Sequence, residues 1–271
     1  MSSLARVDNA YLSAPCSINH LWAYLTHLAY MSSWSRTQWG ELSYLYSGIP
    51  HPLFNLFYGD VDTLSATQKI EVSTLAKKTP SLWLQKEKPA DVGTDFFSEF
   101  LHLKNSIPVH GLTFETAHKV GNLVSGTEFH LQQISTYEEL STFDRISAAC
   151  FGHEAGMALE FMRGLSLKKD RNALQLFLIY QENLAVGAFQ LFCHEGVRGL
   201  YWACVLPQYQ QKGIGTAVLA RIFQETQSHG FNHLVSSFMP SCMGVLKHFI
   251  PREIRPLHLY AISPTQTLSH G

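Results

Sequence analysis

The feature that most constrains the fold of this chain is an apolar, strand-like run that leads through a glycine-containing loop into a long helix. The run from Gly199 to Leu206 is followed by Gln210-x-x-Gly213-x-Gly215, and helical apolar periodicity then continues to about Ser228. Glycines at a helix start leave backbone N–H groups uncovered, and the helix dipole favours an anion there. The pattern predicts a phosphate-binding loop on an α/β scaffold.

Two common phosphate motifs do not fit this loop. A Walker A loop would need Gly-x-x-x-x-Gly-Lys-Ser/Thr, which is absent, and a dinucleotide fingerprint would need a third glycine where Val218 stands. The segment instead resembles the acetyl-CoA-binding motif of the GCN5-related N-acetyltransferase (GNAT) superfamily, Arg/Gln-x-x-Gly-x-Gly/Ala after a central strand. Gln210, Gly213 and Gly215 occupy its three defining positions.

This resemblance implies that acetyl-CoA is the cosubstrate and that the loop backbone holds its pyrophosphate. It also implies that pantetheine lies beside the central strand like an added strand, with the backbone of Val205 polarising the thioester carbonyl. The cofactor-binding residues implied in this way are Ala203, Cys204, Val205, Gln210, Gln211, Lys212, Gly213, Ile214, Gly215 and Thr216.

The fold class expected is α/β with a mixed (α+β) sheet, and a polar, glycine-containing stretch predicts a domain boundary near residue 126. The whole chain resembles two-domain bacterial GNAT proteins. Residues 1–126 would then form a degenerate GNAT-like domain without a cofactor motif, and residues 127–271 the acetyl-CoA-binding GNAT domain. The alternative for the first part is another α/β domain that covers the active site.

Hydrophobic periodicity predicts the individual elements. In the first part these are a strand Leu53–Tyr58, a helix after Leu64 to about Lys78, a strand Leu82–Leu84 and a helix Asp95–Leu103. In the second part they are strands Phe129–Ile134, Leu174–Gln181, Leu184–His194, Gly199–Leu206, Asn232–Phe238 and Pro256–Ile262, and helices Tyr137–Cys150, Gly156–Leu165, Gly213–Ser228 and Ser241–Phe249. The turn at Glu182-Asn183 predicts a hairpin.

Charge and composition limit the partners. Twenty Lys and Arg stand against 21 Asp and Glu, a net charge of −1, so neither a nucleic-acid nor a membrane partner is expected. No apolar run approaches the ~20 residues of a membrane helix. The first residues lack the apolar core of a secretory signal, which predicts a cytoplasmic protein. A homodimer is compatible with the sequence.

Cysteine and histidine spacing argues against structural cross-links and metal. The five cysteines, at positions 16, 150, 193, 204 and 242, are scattered and never form Cys-x-x-Cys, so free thiols are expected. Fourteen histidines occur without a His-Glu-x-x-His pattern, so no metal site is expected.

By resemblance, the activity is transfer of an acetyl group from acetyl-CoA to a primary amine of a small molecule or peptide. The amine must lose a proton, and Glu195, His194 and Glu160 are the candidates for the base. Cys204 would be a nucleophile only if its pKa were depressed. The alternative function is a catalytically weakened CoA- or acyl-CoA-binding sensor or interaction module.

The chain departs from the family where a tyrosine commonly protonates the leaving thiolate, within Tyr-x-x-x-Gly-Phe. Alignment puts Leu246 at the tyrosine position, and no tyrosine occurs between Tyr209 and Tyr260. The departure implies slow but nonzero transfer, with the proton donated by a water or by the side chain of Ser241, Cys242 or His248.

Overall fold

The computed structural model describes residues 17–32, 34–86, 107–116, 128–159 and 173–262. The α-helices are α1 (Ser17–Ser32), α2 (Ala66–Ala76), α3 (Tyr137–Phe151) and α4 (Ile214–Ser228). The strands are β1 (Ser35–Trp39), β2 (Leu42–Tyr46), β3 (Asn55–Tyr58), β4 (Ser81–Lys86), β5 (Ile107–Glu115), β6 (His130–Gln133), β7 (Leu174–Gln181), β8 (Leu184–His194), β9 (Val197–Val205), β10 (His233–Phe238) and β11 (Glu253–Ile262). Short 3-10 turns cover Pro52–Phe54, Pro207–Tyr209 and Pro240–His248.

The strands form one sheet in the order β1-β2-β3-β4-β11-β5-β10-β9-β8-β7-β6, and its two ends are built in a similar way. From either end, an antiparallel meander is followed by a parallel pair, β3 with β4 and β9 with β10. We call α1, α2 and β1–β5 the first half of the chain, and α3, α4 and β6–β11 the second half. The last strand of each half lies beside a strand of the other half, because β5 pairs with β10 and β11 pairs with β4. The halves therefore repeat one topology and exchange their final strands. The predicted α/β class with a mixed sheet is confirmed.

The sheet is covered on both faces. On one face, α1 and α3 pack over a core that spans both halves, including Leu45 and Tyr58 from the first and Phe192 and Tyr201 from the second. On the other face, α4 covers β5 and β8–β10, and α2 covers a separate core around Trp83. Strand alternation produces this arrangement, because neighbouring residues point to opposite faces.

Most elements predicted in the second half lie within a few residues of the observed ones. The β7–β8 hairpin has the predicted bounds, and capping boxes at Ser65 and Thr136 start α2 and α3. The predicted short helix Ser241–Phe249 is present as the 3-10 segment Pro240–His248. The predicted helix Asp95–Leu103, residues 160–165 of another predicted helix, and the boundary near residue 126 lie outside the described residues.

A buried polar network docks α1 of the first half onto β9 of the second. The Tyr201 hydroxyl donates to His20 Nδ1 at 2.8 Å, and His20 Nε2–H donates to the Val197 carbonyl at 3.2 Å. Tyr24 stacks on Tyr201 with ring centroids 4.0 Å apart. A Cβ on Gly199 would lie 2.5 Å from His20 Cε1, so this close approach requires glycine.

We expect the free energy of unfolding to fall as the pH falls from about 6.5 to 4. Burial lowers the pKa of His20 from 6.5 to about 4. Between these pH values His20 binds a proton in the unfolded chain but not in the folded chain, so protonation favours unfolding. At ~1.4 kcal/mol per pH unit, full loss of this contribution is worth about 3 kcal/mol. Urea unfolding at pH 7 and at pH 4.5 measures it.

The control is His130→Gln, which changes an exposed histidine and should keep the pH dependence of the wild type. His20→Gln should flatten that dependence. Equal slopes for the wild type and His20→Gln would contradict the assignment to His20.

Candidate functional site

A fork between two parallel strands forms the centre of the site. β9 and β10 pair only from Arg198–Leu234 to Leu200–Ser236, although both strands continue further. At the last pair, Ser236 Oγ–H donates to the Leu200 carbonyl at 2.6 Å. Beyond it, β9 pairs with β8 on its other side, and its edge toward β10 has no strand partner among the described residues. This edge offers backbone donors and acceptors to an extended ligand.

A β-bulge distorts β9 within the unpaired stretch. The register with β8 shifts between Ala188 and Gln190, so that the single residue Phe189 of β8 lies opposite two residues of β9, Trp202 and Ala203. Trp202 has a φ of +51°, a left-handed conformation that costs a bulky residue roughly 1–3 kcal/mol. Strain of this kind persists where surrounding contacts enforce it, and it is common at functional sites.

The loop after β9 presents the start of α4 without a covering side chain. Gly213 is the N-cap of α4 with a φ of +81°, and no side chain caps the helix. Gln211 also has a positive φ, of +59°. Gln210 Nε2–H donates back to the Val205 carbonyl at 2.8 Å, which closes the loop onto the end of β9. The first N–H groups of α4 are thus available to an anion.

The two glycines of the loop have different structural reasons. Gly213 is in the left-handed region, which glycine adopts without steric cost. A Cβ on Gly215 would lie 3.4 Å from Val245 Cγ2, an ordinary contact, so packing alone does not require glycine there. Lys212 Nζ lies 5.2 Å from the centre of the Tyr209 ring, which places a cation beside the loop.

Solved structures share this architecture. The chain is 12% identical to a GCN5-related N-acetyltransferase from Kribbella flavida, with a TM-score of 0.61 over 92% of this chain and 96% of that one. The chain has the GNAT fold. A putative GNAT-family acetyltransferase from Novosphingobium aromaticivorans is 11% identical (TM-score 0.52; 92% and 97% covered), and a tandem GNAT protein from the clavulanic acid biosynthesis pathway is 11% identical (TM-score 0.50; 83% and 79% covered). No family model and no curated sequence matches the chain.

Within this GNAT fold, the structure brings the predicted cofactor residues together. Ala203–Val205 end β9 beside the fork, and Gln210–Thr216 form the loop and the first turn of α4. The part of the chain that the structure describes contains no group of His, Cys, Asp and Glu suited to a metal ion. Nor does any helix among the described residues have the length and apolarity that a membrane span requires.

The structure does not bring the candidate bases to this place. His194 is the exposed last residue of β8 and Glu195 lies in the turn before β9, with His194 Nε2 3.9 Å from Glu195 Oε1. Gly187 of β8 lies opposite Val205, and His194 is seven residues further along β8, so at ~3.3 Å per residue the two candidates lie roughly 20 Å from Val205. Neither lies close to an amine held beside Val205. Glu160 lies outside the described residues.

The candidate proton donors lie on the 3-10 turn after β10. His248 and Cys242 are exposed, and of Ser241 only the backbone is described. Leu246, at the position of the usual tyrosine, is 93% buried in the core under α4 and packs with residues such as Phe249. A tyrosine placed there would have to bury its hydroxyl in that core. Leu246→Tyr would therefore disturb the packing and would not simply restore a proton donor.

The Cys204 thiol hydrogen-bonds to the Cys150 thiol at the end of α3. This bond and burial raise the pKa of Cys204 well above its usual value, and the same bond lowers the pKa of Cys150. Cys204 is therefore protonated near neutral pH. Because a nucleophilic cysteine needs a depressed pKa, the structure favours a packing role for Cys204.

The equivalent place in the first half is built differently. β3 and β4 stay paired as far as Tyr58, the last residue of β3, so no fork opens. Ser65 and Gln68 form a capping box that satisfies N–H groups at the start of α2. Asp60 and Asp62 lie in the preceding loop, where their charge disfavours a phosphate.

Sequence reasoning missed the residues on the α3 side of the fork. Trp202 Nε1–H donates to Ser147 Oγ at 2.7 Å, and Ser147 contacts His153 Nε2 at 2.8 Å. Phe54 and His51 of the first half pack against His153, with ring centroids 5.3 Å and 6.1 Å from it. No local motif marks this cluster, because its members come from three distant segments.

Proposed function

We propose that the chain is an acetyl-CoA-dependent N-acetyltransferase that transfers an acetyl group to a primary amine of a small molecule or peptide. The observation that carries the proposal is the fork of β9 and β10 beside the uncapped start of α4. The fork suits an extended amide-containing arm, and the helix start suits the diphosphate at the other end of that arm. The GNAT fold supports the same reading.

The chain's own groups have separate tasks in this proposal. The N–H groups of Gly213 to Thr216 bind the diphosphate, and Lys212 adds positive charge. The free edge of Ala203–Val205 orients the pantetheine arm. A backbone N–H of the same edge, assigned to Val205, stabilises negative charge on the thioester oxygen as the amine attacks. Acetyl-CoA supplies a thioester whose thiolate is a good leaving group.

We propose further that one CoA binds per chain. The paired β3 and β4, the side-chain cap on α2 and the two aspartates disfavour binding in the first half. Isothermal titration calorimetry with acetyl-CoA should give one site per chain.

The proposed acetyl-transfer activity is tested by following CoA release with a thiol reagent across a panel of amines.

A second candidate function is a CoA- or acyl-CoA-binding sensor. Leu246 favours it, because its burial leaves the usual position of the thiolate-protonating hydroxyl apolar. The CoA thiol, with a pKa of about 8–9, can leave as a thiolate even when no side chain donates a proton to it. We therefore expect turnover to be slowed but not abolished. Tight acetyl-CoA binding with neither transfer nor hydrolysis would support the sensor.

Gln210→Ala should weaken acetyl-CoA binding by about 3- to 10-fold. The substitution removes the hydrogen bond to the Val205 carbonyl, worth about 0.5–1.5 kcal/mol, and loosens the loop before the diphosphate is bound. Gln208→Ala is the control, since it changes an exposed glutamine next to the loop without this bond to β9. Equal affinities of the two variants would contradict the role of Gln210.

A further inference from the structure

The α3 side of the fork contains a side chain held in one position by a chain of hydrogen bonds. The indole Nε1–H of Trp202 donates to Ser147 Oγ at 2.7 Å, and the Ser147 hydroxyl donates to His153 Nε2 at 2.8 Å. His153 Nδ1–H donates to the Glu154 carbonyl at 3.0 Å. Because a carbonyl only accepts, His153 carries its proton on Nδ1, and each donor then has one acceptor.

Aromatic rings continue the wall around this indole. The ring of Phe151, at the end of α3, lies edge-on at 5.3 Å from Trp202, and Phe54 of the first half lies 6.2 Å away. Phe54 is fully buried, whereas Phe151 is 37% exposed. The wall therefore runs from the core to the surface, and both halves of the chain contribute to it.

One buried carboxylate and one imidazole near this wall carry no free charge. Asp144 of α3 is buried, and its carboxylate accepts from the backbone N–H groups of Gly156 and Ala158. Burial and the neighbouring His153 lower the pKa of His51, so its imidazole is uncharged near neutral pH. Among the described residues, the wall therefore offers aromatic surface, and the buried carboxylate of Asp144 is already held by backbone N–H groups.

We infer that Trp202 is a specificity-determining residue of the acceptor site, and that the acceptor amine is carried on an aromatic or other apolar body. The inference rests on the proposed function, because the thioester must lie along Ala203–Val205 for Trp202 to face the acceptor. Ser147 and His153 are positioning residues that hold the indole. A polyamine keeps positive charge after its reacting nitrogen loses a proton, whereas 2-phenylethylamine keeps none.

The test compares 2-phenylethylamine with spermidine at saturating acetyl-CoA. We expect kcat/KM to be at least about 10-fold higher for 2-phenylethylamine, the size of effect that apolar pockets reach. Ser147→Ala should raise KM for 2-phenylethylamine about 5-fold and leave KM for acetyl-CoA unchanged, because one hydrogen bond to the indole is lost. Trp202→Phe keeps an aromatic ring but not the donor, and should behave like Ser147→Ala.

Thr142→Ala is the matched control, because Thr142 lies on the same helix and, among the described residues, its hydroxyl bonds within that helix. It should leave both KM values unchanged. Equal effects of Thr142→Ala and Ser147→Ala on KM for the amine, or a preference for spermidine, would overturn the inference.

Binding measurements separate this inference from the proposed function. Calorimetry of 2-phenylethylamine and spermidine with the CoA-loaded protein needs no turnover. Tighter binding of 2-phenylethylamine without transfer to any amine would contradict the proposed function and support the apolar acceptor site. Transfer combined with equal or tighter binding of spermidine would support the proposed function and contradict the apolar acceptor site.

Discussion

Replacing Gly213 with glutamate should lower the affinity for CoA by about 30- to 1000-fold, the equivalent of roughly 2–4 kcal/mol. Two effects combine. The backbone of Gly213 has a φ of +81°, where an L-residue costs roughly 1–2 kcal/mol, and the new carboxylate lies where a diphosphate would bind. Isothermal titration calorimetry with CoA measures the loss.

Gly230 provides a matched control at the other end of α4. It has the same φ of +81°, and a Cβ there would meet nothing within 4 Å. Gly230→Glu should therefore bring similar backbone strain and a similar charge without changing CoA affinity. If both variants bound CoA as tightly as the wild type, the loop would not be the diphosphate site. An equal loss in both would point to general destabilisation.

Residues 127–271 expressed alone should fail to form a stable fold. The sheet of the second half is completed by β5, which lies between β10 and β11 and buries Leu112 and Phe114. Removing it separates β11 from β10 and exposes two strand edges. Removing α1 also uncovers Tyr201 and the network around His20. We expect an insoluble or molten fragment, as judged by circular dichroism and hydrogen exchange.

The control for this truncation is co-expression of residues 1–126 as a separate chain. Because β5 and β11 exchange between the halves, the two fragments should associate and restore CoA binding. A soluble fragment 127–271 with the CoA affinity of the full chain would show that the first half contributes neither structure nor binding. The division at residue 126 stays a prediction in either case.

Local patterns were sufficient where the interactions are local. The β7–β8 hairpin pairs neighbouring strands around Glu182 and Asn183, and both of its strands are apolar-rich runs that end at this turn. The loop before α4 depends on residues a few positions apart, so the motif identified it. In contrast, α1 has no acidic residue in its first turn and no basic residue in its last. With these end signals missing, the helix was not predicted.

β5 was missed for a different reason. It contains Pro108 and Gly111, which disfavour a strand when read locally. Its neighbours β10 and β11 come from the far end of the chain and supply the pairing that the local sequence does not indicate. Gly111 also fits under α1, where a Cβ would lie 2.8 Å from Ser17 Oγ.

The sequence by itself determined the elements of the second half and the loop that presents the start of α4. It did so because backbone conformation, capping and short-range alternation depend on residues close together in the chain. Only the tertiary structure decided that the halves exchange strands, that β9 and β10 separate after Leu200 and Ser236, and that Trp202 meets Ser147 and Phe54. These features depend on pairing and packing between distant segments, whose free energies no local pattern encodes.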